Sequence, residues 1–320
     1  MDAATLGTPL APHLADALCR PFVAVVGKGG SGRTLLAAAL AQHNARRQRR
    51  TLLCTQSARH PFRIEQTLPP GRIEDCEPHL SVLRSSPRHA RDEYVLQVLK
   101  SPKLYRLFFT NRHINHFFDA IPGLAEWAIL GKATWHALPS TPKEERYDTV
   151  ILDAPATGHG LDMLKLSDVI ATTTPRGRIR TEALERTALL RDPQRCAIIP
   201  TALLETLAVN ETVELVTELK AHQFPTPLVV ANRVLDVLFH AGDTPCSDEA
   251  LAHLTAPQPP PWAHAAALQY KRHQEQRAQL DKLRAGTQLP IRALPIIDVA
   301  GCTESRLDAA QHFLLHGTPS

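Results

Sequence analysis

Gly27-Lys-Gly-Gly-Ser-Gly-Arg-Thr34 is the stretch whose residue types and spacing most directly imply chemistry. Glycines at 27, 29, 30 and 32 let successive backbone N–H groups turn inward around an anion. A helix starting at the end of the loop adds the positive end of its dipole. Gly27, four residues, Gly32, a cation and Thr34 follow the order Gly-x-x-x-x-Gly-Lys-[Ser/Thr] of phosphate-binding loops. The expected ligand is therefore a nucleotide phosphate, held by Gly27, Lys28, Gly29, Gly30, Ser31, Gly32, Arg33 and Thr34, with the Thr34 hydroxyl placed to ligate Mg²⁺. One position departs: Arg33 stands where lysine reaches the β- and γ-phosphates, keeping the charge on a longer, planar fork.

A loop of this kind needs a strand before it and a helix after it. Phe22-Val-Ala-Val-Val26 is a fully apolar run, and residues 34–45 are rich in helix formers. Thr51 to Thr55, Thr149 to Asp153, Cys196 to Ile199, Pro227 to Ala231 and Ile291 to Ile297 are further short buried-strand patterns. Continuous apolar runs separated by helical stretches predict a doubly wound, mostly parallel α/β sheet. About 90 residues separate the second and third of these strands, too many for a simple crossover. This stretch reads as helical from Asp92 onward. It carries Tyr94, Tyr105, Phe108, Phe109, Phe117, Phe118, Trp127 and Trp135, half of the sixteen aromatics, and so forms a subdomain with its own core or an apolar binding face. A second unusual stretch is broken by Gln258-Pro-Pro-Pro261, followed by a polar helix from about His264 to Arg284.

Composition excludes several classes. The 320 residues are 43% hydrophobic and 21% charged, which is globular rather than disordered. Thirty-six basic against 32 acidic residues leave a formal charge of +4, too little for a nucleic-acid partner without a localised patch. The run Arg46-Arg-Gln-Arg-Arg50 closes a helix, where cations complement the dipole. The most apolar segment, Ile121 to Leu138, contains Glu126, Lys132 and His136, so no transmembrane span is expected and membrane association is at most peripheral. The first twenty residues lack a basic leader and carry Asp2 and Asp16, so a cytoplasmic chain is expected. Six scattered cysteines with no CxxC pair suit reduced thiols and give no zinc site. His113 and His116, at helical spacing, read as a solvated face.

Several motifs together resemble the arsenite-pump and tail-anchored-protein-targeting ATPases. Gly27 to Thr34 looks like that family's deviant loop, Gly-Lys-Gly-Gly-Val-Gly-Lys-Thr. Asp153-Ala-Pro-Ala-Thr-Gly-His-Gly160 resembles its second switch, Val229-Val-Ala-Asn-Arg-Val234 its adenine-contacting strand end, and Leu294 to Gly301 its late Leu-Pro segment. Ile121 to Gly131 is similar to the insert of a bacterial branch whose members occur as paralogous pairs. The resemblance implies a single P-loop ATPase-like domain over 1–320, with core segments 21–60, 147–240 and 288–320, a helical insertion at 85–140 and a second helical segment at 241–287. It implies ATP or ADP with Mg²⁺ as cofactors, and a homodimer or a heterodimer with a paralogous ATPase. Lys28 would then reach the partner's nucleotide, Asp153 would hold Mg²⁺ through water, and Asn232 would read adenine. His60, Pro155, Gly158 and His159 would belong to the switches. A hydrophobic client would sit at the insert.

The first switch is where the pattern fails. The family run Ser-Thr-Asp-Pro-Ala-His becomes Thr55-Gln-Ser-Ala-Arg-His60, so Ser57 occupies the position of the water-positioning aspartate. A serine hydroxyl has little basicity at neutral pH. The expectation is an ATP-binding subunit whose nucleotide state is coupled to a client or partner through the insert. The alternatives are a catalytically impaired regulatory subunit paired with an intact paralogue, and a carrier that works regardless of turnover.

Overall fold

Phe22–Gly27 (β1) is buried at every position, and alternate residues face opposite cores: Phe22, Ala24 and Val26 one way, Val23 and Val25 the other. A strand apolar on both faces must be covered on both, and a computed structural model shows how. It describes residues 9–63, 66–99, 123–235, 261–297 and 303–316. Helix α1 (Pro12–Ala17) precedes β1. Then come α2 (Arg33–Arg46), β2 (Thr51–Thr55), β3 (Ile73–Glu77), β4 (Leu80–Arg84), α3 (Pro87–Leu99) and α4 (Leu124–Trp135). The chain continues through β5 (Thr149–Asp153), α5 (Thr157–Thr173), α6 (Arg178–Arg191), β6 (Cys196–Leu203), α7 (Thr206–Ala221) and β7 (Val229–Val234). Helix α8 (Pro261–Thr287), β8 (Ile291–Pro295) and α9 (Thr303–His316) complete the described elements.

The sheet order is β3-β4-β2-β5-β1-β6-β7-β8, parallel throughout except for antiparallel β3. The chain leaves β1 toward β2 on one side and continues from β5 to β6 on the other. This reversal opens a crevice at the carboxyl ends of β1, β5 and β6, where α/β sheets bind ligands. One face is covered by α1, α2 and α9, through Leu36, Leu40, Leu307 and Leu314. The other face is covered by α4 to α7, through Leu130, Met163, Leu190 and Leu215. The doubly wound reading therefore holds.

Two details differ from the sequence reading. The hairpin β3–β4 is not among the predicted strands and lies ahead of the 85–140 helical insertion, and α3 begins at Pro87, a few residues before Asp92. The reason is that Ile73-Glu-Asp-Cys-Glu77 is a sheet edge, with no neighbour beyond it among the described residues and no fully buried position, so it lacks the apolar run that marks inner strands. The polar helix near 264–284 is present as α8. Tyr105, Phe108, Phe109, His113, His116, Phe117, Phe118, Cys246, Cys302 and the 298–301 end of the late motif lie outside the described residues. No helix among the described residues is long and apolar enough to cross a membrane.

Candidate functional site

The phosphate loop leaves β1 and enters α2 through Gly32, which caps the helix with φ +92°. No side chain caps α2 and no acid lies in its first turn, so its leading N–H groups remain for an anion. Gly32 is required here twice over. The left-handed dihedral disfavours side chains, and a Cβ would stand 2.0 Å from Nδ2 of Asn232. That amide lies against the loop, donating to the Ser31 carbonyl at 2.8 Å, while its Oδ1 accepts the Arg233 N–H at 2.9 Å. Asn232, at the end of β7, thus ties the loop to the sheet. Ser31 is anchored from the other side, its hydroxyl 2.7 Å from that of Thr201 on β6.

Below the loop, three elements converge on one carboxylate. Thr34 Oγ1 from the first turn of α2 and Thr55 Oγ1 from the end of β2 each donate to Oδ2 of Asp153, both at 2.8 Å. Asp153 ends β5 and is 6% exposed. Arg33 folds back over the same strand end and donates to the Ala154 carbonyl. Burial pushes the Asp153 carboxyl above its ordinary range, opposed by the two threonine hydrogen bonds and the charge of Arg33. Burial also lowers the Arg33 guanidinium, which Asp153 counteracts. A hydroxyl and a carboxylate side by side at the foot of an uncapped glycine loop are hard oxygen donors, and that donor set fits Mg²⁺ carried on a nucleotide. Among the described residues no group of three or more His, Cys, Asp or Glu stands ready to hold a metal ion by itself.

The raised carboxyl has a testable sign. A folded chain that binds the Asp153 proton more tightly than the unfolded chain loses stability as pH rises from the ordinary Asp range through the raised value. Asp153→Asn is therefore expected to raise the Tm of the nucleotide-free protein at neutral pH and to remove the effect of Mg²⁺ on ADP-induced stabilisation. Thermal scans with and without MgADP check both; a lower Tm together with an intact Mg²⁺ response would refute the assignment.

The remaining predicted residues sit around this centre. Lys28 lies on the outer side of the loop, its Nζ 2.9 Å from Oε1 of Glu211 on α7, with both side chains 41% exposed. Ser57 spends its hydroxyl on its own turn, accepting the Arg59 N–H at 3.1 Å and donating to the Arg59 carbonyl at 3.2 Å. His60 is buried, its Nδ1 accepting the N–H groups of Phe62 and Arg63, both at 3.1 Å, and its Nε2 lying 3.5 Å from Sγ of Cys76. Burial, then the nearby Arg63, hold its pKa below the usual histidine range, so it anchors this turn as a neutral ring. Pro155 leads into α5, whose first turn contains Gly158 and His159. The basic run is partly spent on main chain: Arg49 donates to the Cys19 and Asp148 carbonyls, and Arg50 to those of Glu144 and Arg146.

Sequence reasoning did not single out Thr55, Thr201 or Glu211. Thr55 closes an apolar strand with a hydroxyl, as Thr34 opens a helix with one, and only strand order puts β2 beside β5.

Residues 20–177 match the family model described as anion-transporting ATPase, a stretch that contains the phosphate loop, β2 and the β5–α5 segment. The ATPase BagA of Mycobacterium tuberculosis is 27% identical over 223 residues, covering 65% of this chain and 64% of that protein. The ATPase ARSA1 of Chlamydomonas reinhardtii is 23% identical over 292 residues, covering 70% of this chain and 36% of that protein. The chain thus spans just under two-thirds of the mycobacterial protein and about a third of the Chlamydomonas one. With the glycine loop, Thr34 and Asp153 assembled as described, residues 20–177 carry the features of the anion-transporting, ArsA-like ATPase family.

Proposed function

We propose that this chain is the ATP-binding subunit of a dimer, in which nucleotide state sets the conformation of the β5–α5 segment and turnover depends on what a partner supplies. The observation that carries this reading is the Thr34–Asp153 pair, 2.8 Å apart beneath an uncapped loop. The loop amides would hold the phosphates, and Thr34, with Asp153 through water, would hold Mg²⁺. The chemistry that Mg²⁺ would supply there is neutralisation of phosphate charge. Arg33 supplies a second cation once it leaves the Ala154 carbonyl. Asn232 borders the same crevice and is assigned the adenine edge. Calorimetry with MgATP and MgADP tests the reading; absence of heat and of any thermal shift at millimolar nucleotide refutes it.

Lys28 is the residue assigned to the partner's nucleotide. Its cis contact with Glu211 joins two half-exposed side chains, and such pairs contribute only about 0–1 kcal/mol, so they separate easily. Lys28→Ala is expected to leave this chain's ADP affinity within a few-fold of the parent while lowering turnover of the assembled dimer. Sedimentation in each nucleotide state checks assembly, and collapse of the variant's own ADP affinity would contradict the assignment in trans.

A second reading, a regulatory subunit that binds ATP without hydrolysing it, is favoured by Ser57, whose hydroxyl is already engaged by Arg59. Phosphate release by the chain alone, compared with the chain mixed with a paralogous ATPase, separates the two. The helical insert is assigned to a hydrophobic client. Its described part packs Tyr94 edge-on against Trp127, ring centroids 6.4 Å apart, in a small cluster shared with Ala171 of α5 and Ala183 of α6.

A further inference from the structure

Helices α3, α4 and α6 and the edge strand β3 enclose a cavity of about 720 Å³, none of whose described lining residues belongs to the phosphate loop or to Asp153–Gly160. That volume suits a single small molecule. In its wall lies Arg186, whose side chain is 8% exposed. Its guanidinium carbon sits 4.0 Å from the centre of the Trp127 ring. On α4 it passes Gly131, where a Cβ would stand 2.8 Å from Nη2. The absence of a side chain at that position is what lets the arginine lie along the helix.

This arginine is under-paired. Nη2 lies 3.4 Å from Oε2 of Glu182, the carboxylate that Arg178 holds at 2.8 Å through its other oxygen, while Nε and Nη1 have no hydrogen-bond partner among the described residues. Arginine stays charged, and a buried guanidinium with open donors is rare unless something fills them. A second feature is independent of it. Trp135 and Ile73, both 40% exposed, also line the cavity, an unusual placement for large apolar side chains. With Tyr94 and Leu138 they provide an apolar lining. Charge then limits the ligand. Lys132 pairs with Glu93 and Arg178 with Glu182. Glu145 accepts the Trp135 indole N–H at 3.1 Å, and Glu185 accepts the Ser140 hydroxyl at 3.4 Å. Three cations thus face four carboxylates, which repels a polyanion but leaves one guanidinium for one carboxylate.

We propose that this cavity binds a small organic monocarboxylate, its carboxylate on Arg186 and its apolar body against Trp135, Ile73 and Tyr94. Octanoate is the probe, titrated into the full chain by calorimetry and by tryptophan fluorescence, with octanol and octyl phosphate as controls. The expected result is saturable octanoate binding at least tenfold tighter than octanol or octyl phosphate. Arg186→Met is expected to reduce octanoate to the octanol level with the Tm unchanged or raised, because an apolar chain of similar length replaces an under-paired buried charge. Trp135→Ala, a change at an exposed position, is expected to weaken octanoate and octanol alike. No octanoate binding at millimolar concentration, octyl phosphate binding as tightly as octanoate, or an Arg186→Met protein that binds octanoate like the parent would each overturn the proposal. If Arg186→Met does not fold, Trp135→Ala decides alone: octanoate affinity equal to the parent's overturns it, and a tenfold loss supports it.

Discussion

Ser57→Asp combined with Arg33→Lys is expected to raise ATP turnover of this chain by about 10²–10⁴-fold, the usual worth of a positioned water-activating group. In the parent the Ser57 hydroxyl donates its one proton to the Arg59 carbonyl and accepts the Arg59 N–H, so a single lone pair of low basicity is left for a water. Aspartate brings a second oxygen and real basicity to the same position, two residues past Thr55, whose hydroxyl already reaches Asp153. Lysine at 33 gives up the bond from the guanidinium to the Ala154 carbonyl and frees a compact charge for the γ-phosphate. Because both residues act on one transferring phosphoryl group, the two single changes are not expected to multiply to the double. Steady-state phosphate release from the parent, the two singles and the double is the measurement. Equal rates in all four would place water activation on another residue or on a partner.

Gly32→Val is expected to abolish measurable nucleotide binding and to destabilise the fold by roughly 2–5 kcal/mol, from left-handed strain and overpacking combined. The new Cβ would meet Asn232 Nδ2 at 2.0 Å, and that amide cannot retreat without losing its bonds to Ser31 and Arg233. Gly32→Val with Asn232→Gly isolates the steric part. Space returns while the dihedral strain remains, so the double variant is expected to recover part of the Tm but little nucleotide affinity. Denaturant unfolding and ADP titration of both variants check this. A Gly32→Val protein with parental stability would mean that the loop has room to rearrange.

The doubly wound fold and the phosphate loop could both be read from the sequence alone, because each is written in contiguous residues. An inner parallel strand buries both faces and is apolar along most of its length, as Phe22 to Val26 and Val150 to Leu152 are. The anion-cradling turn depends on backbone freedom at glycines within one short run. Side-chain pairings across the fold depend instead on strand order, which the crossovers set and no local pattern records. Thr34 and Thr55 are 119 and 98 residues from Asp153, and only the placement of β5 between β1 and β2 lets both hydroxyls reach one carboxylate oxygen. The same holds for Lys28 with Glu211, 183 residues apart, and for Asn232 beneath Ser31, 201 apart. Edge strand β3 escaped notice for the complementary reason: with one side unpaired and little to bury, Ile73-Glu-Asp-Cys-Glu77 has the composition of a loop. Arg186 is the extreme case, since a charged residue on an α6 that is otherwise mostly polar becomes buried only when α4 presents Gly131 and Trp127 to it.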